Sequence, residues 1–149
     1  MSEVDACPIT GLTKILFATD GSDYSERALT EAIALAKTCR TELYIVTVVE
    51  MNSEYAALAP KAVEKTDLEA KAFLEAVKEC AAKEQVQCET FAFHGDDAAV
   101  VIVEQAEKLE ADMIVMGRHG KKKGLKKLLM GSVTSKVIGH APCKILVVP

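Results

Sequence analysis

The feature that most constrains the fold of this chain is a regular alternation of two hydrophobic patterns. Short runs rich in valine, isoleucine and leucine are typical of strands buried on both faces, and one further run alternates apolar and polar residues as a strand does. The longer segments between them carry apolar residues at helical spacing. The runs that predict strands are residues 14–19, 42–49, 86–94, 112–117 and 144–148.

The intervening segments predict helices with recognisable ends. Asp23 and Glu26 have the spacing of a capping box. Asp97 stands where it can cap a later helix, and Gly139 is placed to end the last one. The predicted helices cover residues from about 26 to 36, 61 to 83, 97 to 109 (with Val100, Val103 and Ala106 inward) and 132 to 138, while residues 50–60 predict a loop.

Strand and helix alternating to a fifth strand predict an α/β fold, a parallel sheet covered by helices on both faces. The chain has 149 residues, which suits one domain with a substantial core. We expect residues 1–12 to be a loose tail and residues 13–149 to form the domain. In such sheets ligands bind beyond the carboxyl ends of the strands, where the strand order reverses.

The charge of the chain is unevenly distributed. Of the 18 lysines and arginines, eight lie after Asp112, where no acidic residue occurs. The other ten share the rest of the chain with all 22 acidic residues. An acidic body with one basic stretch argues against a nucleic-acid-binding protein, which needs a broadly basic face, and favours a local anion site.

The stretch after the fourth predicted strand has the features of a phosphate site. Gly117 and Gly120 allow a ligand to approach the backbone closely. Gly131 and Ser132 stand where the last helix should begin, and the N–H groups and dipole of a helix start attract anions. Ser132 and Thr134 add hydroxyls for phosphate oxygens or for a metal that they hold. Taken singly, each of these residues also fits an ordinary turn or helix cap.

Asp20 ends the first predicted strand, beside a glycine. A carboxylate at this tip can accept hydrogen bonds from ribose hydroxyls, although aspartate is also a common turn residue. If strands one and four are neighbours, Asp20 and Gly117 face the same crevice. Together these features predict a nucleotide site.

Other classes of site are disfavoured. No Gly-Lys-Ser/Thr closes the lysine-rich loop as in a Walker A motif, and no GxGxxG follows strand one. The histidines at 94, 119 and 140 have no partner at zinc-ligand spacing. A phosphoacceptor receiver domain would need an aspartate ending the third strand and a lysine ending the fifth, whereas His94-Gly95 ends the third and Lys144 begins the fifth.

The five cysteines are scattered and none forms a CxxC pair, so we expect free thiols in a reducing cytosol. The N-terminus lacks a basic region followed by an apolar stretch, so no signal peptide is predicted. No apolar run approaches the about 18 residues that span a bilayer. The expectation is a cytoplasmic protein that does not engage a membrane.

The sequence resembles the universal stress protein family over nearly its whole length. The resemblance rests on KILFATDGSDYSERAL, IVTVV, HGDDAAVVIVEQAEKLEADMIVMGRHG and LLMGSVTSKVIGHAPCKILVVP. Members that bind ATP carry a motif of Gly, two residues, Gly, nine residues and then Gly-Ser or Gly-Thr. Gly117, Gly120 and Gly131-Ser132 match its fixed positions, but ten residues separate Gly120 from Gly131.

The resemblance implies a doubly wound five-stranded sheet of order 3-2-1-4-5 and a regulatory stress-response protein that binds ATP, with Mg²⁺ held through the phosphates. It implies that Asp20 contacts the ribose, that the Val48 backbone contacts adenine, and that Met116 lines the pocket. A slow ATPase or autokinase using the same site, or a dimeric scaffold that has lost nucleotide binding, are the alternatives. The implied phosphate contacts are Gly117, Gly120, Gly131, Ser132, Val133 and Thr134.

In that order the fifth strand is an edge of the sheet. Its only charged residue, Lys144, sits at its start and does not protect the middle. An exposed apolar edge invites pairing with another chain, and pairing across a two-fold axis closes at two subunits. We therefore expect a homodimer through this strand, whose two faces present Ile145, Leu146, Val147 and Val148.

Overall fold

A computed structural model describes residues 7–22, 25–118 and 130–149 of the chain. Over these residues the chain forms five strands and five helices. In chain order they are β1 (Lys14–Thr19), α1 (Glu26–Cys39), β2 (Glu42–Glu50), α2 (Ser53–Leu58), α3 (Pro60–Lys83), β3 (Cys88–Gly95), α4 (Ala98–Lys108), β4 (Met113–Gly117), α5 (Ser132–His140) and β5 (Lys144–Val148).

The strands form one parallel sheet in the order β3-β2-β1-β4-β5, as the resemblance implied. The chain winds outward from β1 to β3 and then returns to β4 on the other side of β1. The strand order therefore reverses between β1 and β4. Thr19 is in register with Thr47 of β2, and Ala18 with Met116 of β4. β1 and β4 thus end at one level, next to the point of reversal, and β2 continues three residues further, from Thr47 to Glu50.

The core has two layers because the apolar strands are covered on both faces. α1 and α3 cover one face, where Phe17 and Ile45 are fully buried, and α4 and α5 cover the other, where Leu16 and Ile114 are fully buried. This is the arrangement that continuous apolar strands require. In the described part of the chain, no helix has the length and apolar character needed to cross a membrane.

Residues 50–60 depart from the predicted loop. A short helix, α2, forms there because the side chain of Asn52 caps it, accepting a hydrogen bond from the Tyr55 N–H at 2.6 Å. Pro60 then occupies the first position of α3, where its missing N–H is not needed. None of the residues of α2 is buried, so no hydrophobic pattern in the sequence predicts this helix.

Two details of the predicted helices are wrong. Ala106 is buried as predicted, but Val100 was expected to face inward and is 52% exposed, since α4 begins at Ala98 and buries Ala98, Ala99 and Ile102 in its first turns. Gly139 does not end the last helix, which continues to His140. A Cβ at Gly139 would meet no atom within 4 Å. Asp23, the predicted capping residue of α1, lies outside the described residues.

The expectation of free thiols is wrong for one pair of cysteines. Cys7 and Cys39 form a disulfide across 32 residues of sequence. Cys7 and Ile9 pack against the core layer beneath α1. The spacing of the cysteines could not show this, because the contact depends on the segment folding back to the last residue of α1.

Candidate functional site

A cleft of about 920 Å³ lies beyond the carboxyl ends of the central strands. Its walls come from the ends of β1, β2 and β4, the starts of α4 and α5, and one side of α3. The volume is within the range of small-molecule sites. The position is the one that the reversal of strand order between β1 and β4 favours.

A hydrogen-bonded turn presents Asp20 at the end of β1. The Ser22 N–H donates to Asp20 Oδ1 at 2.9 Å. The Gly21 N–H donates to Thr19 Oγ1, whose own hydroxyl donates to Ser25 Oγ at 2.9 Å, and Ser25 Oγ donates in turn to the Ser22 carbonyl at 2.7 Å. Gly21 has a φ of +77°, a conformation that other residues rarely adopt. The hydroxyls of Thr19 and Ser25, both buried, therefore fix the turn that carries the carboxylate.

The opposite wall of the cleft joins the end of β4 to the start of α5. Thr134 is 3% exposed, and its hydroxyl donates to the Gly117 carbonyl at 2.9 Å. The Gly131 N–H donates to the Arg118 carbonyl at 2.9 Å, and the Arg118 N–H donates to the Val148 carbonyl of β5 at 2.9 Å. The two ends of the lysine-rich segment are therefore held against each other and against the edge of the sheet.

The start of α5 offers backbone N–H groups to this cleft. The first backbone bond of the helix runs from the Ser135 N–H to the Gly131 carbonyl, so the N–H groups of Ser132, Val133 and Thr134 have no partner within the helix. The N-cap, Gly131, has no side chain to cap them, and the first turn contains no acidic residue. The helix dipole adds positive potential at the same point. This combination attracts an anion.

Charged side chains are divided between the two sides of the cleft. Glu50 and Asp96 line it beyond β2 and β3, and Glu69 lines it from α3. On the side of α5 stands Lys136, whose Nζ lies 3.2 Å from Asp97 Oδ2. The hydrogen bond from Lys136 lowers the pKa of Asp97, which keeps this exposed pair ionised.

Asp97 has the structural role that its position predicts. Its Oδ1 accepts from the Ala99 N–H at 3.0 Å and caps α4. The histidines are also accounted for where they are described: His94 pairs with Asp67 at 2.5 Å, and His140 Nδ1 lies 2.9 Å from the Lys136 carbonyl. Among the described residues, no group of three or more possible ligands is placed to hold a metal ion.

The structure brings most of the predicted site residues into this one cleft. Gly120 lies outside the described residues, as do the lysines from 121 to 127. The residues of the prediction that line the cleft are Asp20, Val48, Met116, Gly117, Gly131, Ser132, Val133 and Thr134.

Sequence reasoning missed the contribution of α3 and the hydroxyls that brace the turn. Phe73 of α3 lines the cleft and lies 3.9 Å from where a Cβ at Gly21 would be. Nothing in the spacing of α3 distinguishes this ring from the core residues on the same face. Thr19 did carry a signal, since it is a hydroxyl at the carboxyl end of an apolar run.

Comparison with known proteins places these features in a family. The sequence matches the universal stress protein family over residues 11–149, which include every strand and helix and the whole lining of the cleft. The chain belongs to the universal stress protein family. Universal stress protein MJ0531 of Methanocaldococcus jannaschii is 40% identical over 140 residues, covering 91% of this chain and 81% of that protein.

Solved structures of the family share the architecture. Universal stress protein UspA from Lactobacillus plantarum has 26% identity and a TM-score of 0.82, with 92% of this chain and 97% of that one covered. A universal stress protein in complex with cAMP has 25% identity and a TM-score of 0.68, with 92% and 96% covered. The α/β fold with a 3-2-1-4-5 sheet is thus the fold of the family.

Proposed function

We propose that this chain is a regulatory stress-response protein that binds ATP with Mg²⁺ in the cleft beyond β1 and β4. The observation that carries the proposal is that a carboxylate at the end of β1 and the first turn of α5 face one cavity. A carboxylate suits a ribose, and a helix start suits phosphates. A related structure of 25% identity holds the nucleotide cAMP, which supports a nucleotide as the ligand.

The base and the sugar occupy the β1 and β2 side of the cleft in this proposal. Asp20, held by the bond from the Ser22 N–H, accepts from the ribose hydroxyls. Val48 offers its backbone to adenine near the end of β2, and Met116 lines the pocket from β4. Phe73 adds an aromatic wall from α3.

The phosphates lie against the first turn of α5. The N–H groups of Ser132, Val133 and Thr134 point out of the helix start, and the exposed Ser132 hydroxyl adds a further donor. Gly117 and Gly131 leave the backbone accessible on both sides, and Gly120 supplies the remaining glycine of the motif. The Thr134 hydroxyl already donates to the Gly117 carbonyl and so holds the start of α5 to the end of β4. Thr134 therefore contacts the phosphates through its backbone N–H.

The residues of the cleft fit Mg²⁺ as an ion held by the nucleotide. No cluster of three protein ligands exists among the described residues, so phosphate oxygens and water must supply most of the coordination. The Ser132 hydroxyl is the protein group best placed to join them. The bound ion would neutralise phosphate charge.

A binding role is favoured over catalysis. Hydrolysis or phosphoryl transfer needs a group that positions the attacking nucleophile. Asp97 is already occupied as a helix cap and by Lys136. The other carboxylates of the cleft line it from β1, β2, α3 and the end of β3, and not from the start of α5, where the phosphates are proposed to lie. Occupancy of the cleft is then the signal that partner proteins detect.

Replacing Gly131 with valine tests the phosphate position. The φ of Gly131 is −59°, so a side chain there causes no backbone strain and acts through the space that it fills. We expect Gly131→Val to remove most of the ATP affinity measured by calorimetry with Mg²⁺. Gly139→Val is the matched control, because it adds the same side chain to the same helix at a position with open space around it. Equal ATP binding by the two folded variants would contradict the proposal.

The identity of the ligand is tested on the unmodified protein. Freshly purified chain is denatured, and the small molecules released are identified by mass. We expect an adenine nucleotide. Release of another class of compound, or tight binding of GTP in place of ATP, would refute the assignment.

We also propose that the protein is a cytoplasmic homodimer that pairs through β5. β5 is an edge of the sheet and pairs with β4 alone among the described strands. Ile145, Leu146 and Val147 are only half-buried, and Lys144 is exposed at the start of the strand. Pairing the same edge across a two-fold axis would cover these side chains and satisfy the edge N–H and C=O groups.

A further inference from the structure

The cysteines of this chain gather at the end of the sheet that is opposite the cleft. Helices return antiparallel to the strands, so their last turns lie at the amino ends of the strands. Cys39 is the last residue of α1, and Cys80 lies in the last turn of α3. Cys88 begins β3, and Cys143 directly precedes β5. The disulfide to Cys39 brings Cys7 to the same end.

Cys7 and Cys39 differ from the other three cysteines in being paired. Their Cα atoms are 4.6 Å apart, within the range of a disulfide. Cys80, Cys88 and Cys143 are free thiols. Burial raises the pKa of Cys88 and of Cys143, which lowers their fraction of reactive thiolate at neutral pH.

The disulfide joins α1 to residues 7–12, which are otherwise held to the core by a few apolar side chains. Residues 7–12 form turns without a strand or helix, and the apolar contacts that hold them come from Cys7, Ile9 and Leu12. Cys39, by contrast, belongs to a helix of 14 residues with four buried alanine and isoleucine side chains. Breaking the disulfide therefore allows one partner to move while the other stays in place.

The site is also accessible and tolerates reduction. Both cysteines are half-buried, so neither residue is enclosed in the core. Cys7 Sγ lies 3.3 Å from the Ile9 carbonyl. A disulfide sulfur has no proton to donate, whereas a reduced Cys7 thiol at this position donates to the Ile9 carbonyl. The reduced state thus leaves the Cys7 thiol with a hydrogen-bond acceptor.

A domain of this size does not need a permanent disulfide in order to fold. A chain of 149 residues with two core layers buries enough apolar surface to fold without one. In a reducing compartment, disulfides are usually transient and redox-responsive. The proposed cytoplasmic location therefore favours a disulfide that opens and closes.

We propose that Cys7 and Cys39 form a reversible thiol–disulfide site that docks or releases the N-terminal segment according to the redox state of low-molecular-weight thiols such as glutathione. On closing, the thiolate of one cysteine attacks oxidised glutathione, forms a mixed disulfide and releases one glutathione thiolate. The second cysteine then attacks the mixed disulfide and releases the other. The two protons of the cysteine thiols end on the two glutathione molecules, and one disulfide is exchanged for another.

Redox titration of the full-length chain tests the chemistry. The protein is equilibrated with mixtures of reduced and oxidised glutathione, the thiols are blocked with N-ethylmaleimide, and the blocked cysteines are located by peptide mass. We expect Cys7 and Cys39 to pass together from blocked to protected as the oxidised fraction rises. Cys80→Ser should leave this titration unchanged, whereas Cys7→Ser should abolish it.

Hydrogen exchange tests the structural consequence. We expect residues 7–12 to be protected in the oxidised protein and to lose that protection on reduction, while β1 stays protected in both states. The Cys7→Ser variant should match the reduced protein under all conditions, and its protected β1 shows that it is folded. A disulfide that survives excess reduced glutathione, thiols that never pair, or equal protection of residues 7–12 in both states would each overturn the proposal.

Discussion

Replacing Thr134 with valine probes the contact that holds the start of α5 to the end of β4. Thr134 is 3% exposed, and its hydroxyl donates to the Gly117 carbonyl at 2.9 Å. Valine keeps the shape but removes the donor. A lost hydrogen bond that leaves its acceptor without a partner costs about 1–2 kcal/mol. For a domain of this size that lowers the melting temperature by about 3–6 °C.

Thr134→Ser is the matched comparison because it keeps the hydroxyl and removes a methyl group. Loss of one buried methyl costs about 1 kcal/mol, so both variants are destabilised to a similar degree. They differ in whether Gly117 stays attached to the start of α5. If the attachment preorganises the phosphate site, ATP affinity falls about three- to tenfold in the valine variant and changes little in the serine variant.

Urea unfolding gives the stability of each variant, and calorimetry with ATP and Mg²⁺ gives the affinity. The two measurements separate a general loss of stability from a loss of preorganisation. Equal affinity losses in both variants would show that packing of the methyl group matters rather than the hydrogen bond. An unchanged affinity in the valine variant would refute the role of this contact in the site.

Three further changes have defined outcomes. Hydrogen bonds from Thr13 lower the pKa of Asp112, so its stabilisation is present above the unfolded pKa of about 3.9 and is lost as pH falls through the folded pKa. Asp112→Ala should cost about 1 kcal/mol at pH 7 and flatten the acid limb of a urea-stability curve; an unaltered limb would contradict this. Val147→Pro removes edge hydrogen bonds of β5 and should convert a dimer to a monomer near 16.0 kDa by light scattering, unless the dimer uses another surface. Changing lysines 121–123 to glutamine should weaken ATP binding and reduce its salt dependence, and an unchanged salt dependence would show that they do not act on the site.

The fold could be predicted because the strands carry their own signal. Four strands are apolar runs and β3 alternates apolar and polar residues, and the predicted bounds differ from the observed ones by two residues or fewer. Sheet order is different: the alternation of elements allows several doubly wound orders, and the resemblance to a family selected the right one. Local pattern therefore predicts elements, while order depends on contacts between residues far apart in sequence.

The elements that could not be predicted depend on single side chains or on long-range packing. α2 exists through the cap of Asn52 and buries nothing, so no periodicity marks it. Val100 was assigned inward by spacing, but the helix start at Ala98 turns that position toward solvent. The Cys7–Cys39 pair needs the N-terminal segment to fold back to the end of α1, which no local rule encodes.

The residues of the candidate site likewise fall into those that local sequence predicts and those that depend on the folded structure. Strand ends and helix starts are local features, so Asp20 and the start of α5 were predictable, and both line the cleft. The bracing hydroxyls of Thr19 and Ser25 were not predicted, because their bond exists only in the turn that Gly21 makes at a φ of +77°. Phe73 was not predicted, because it reaches the cleft from a helix on the face of the sheet.

The spacing of the glycine motif has a physical explanation in the ends of its loop. Ten residues lie between Gly120 and Gly131, one more than in the motif that the resemblance to the family supplied. If the segment between Gly120 and Gly131 determined the position of α5, the additional residue would displace the helix. Instead, the bonds from Thr134 to Gly117 and from Gly131 to Arg118 fix the start of α5 directly against β4. One extra residue between fixed ends costs little closure entropy, so the added residue is compatible with a helix start held in its place in the cleft.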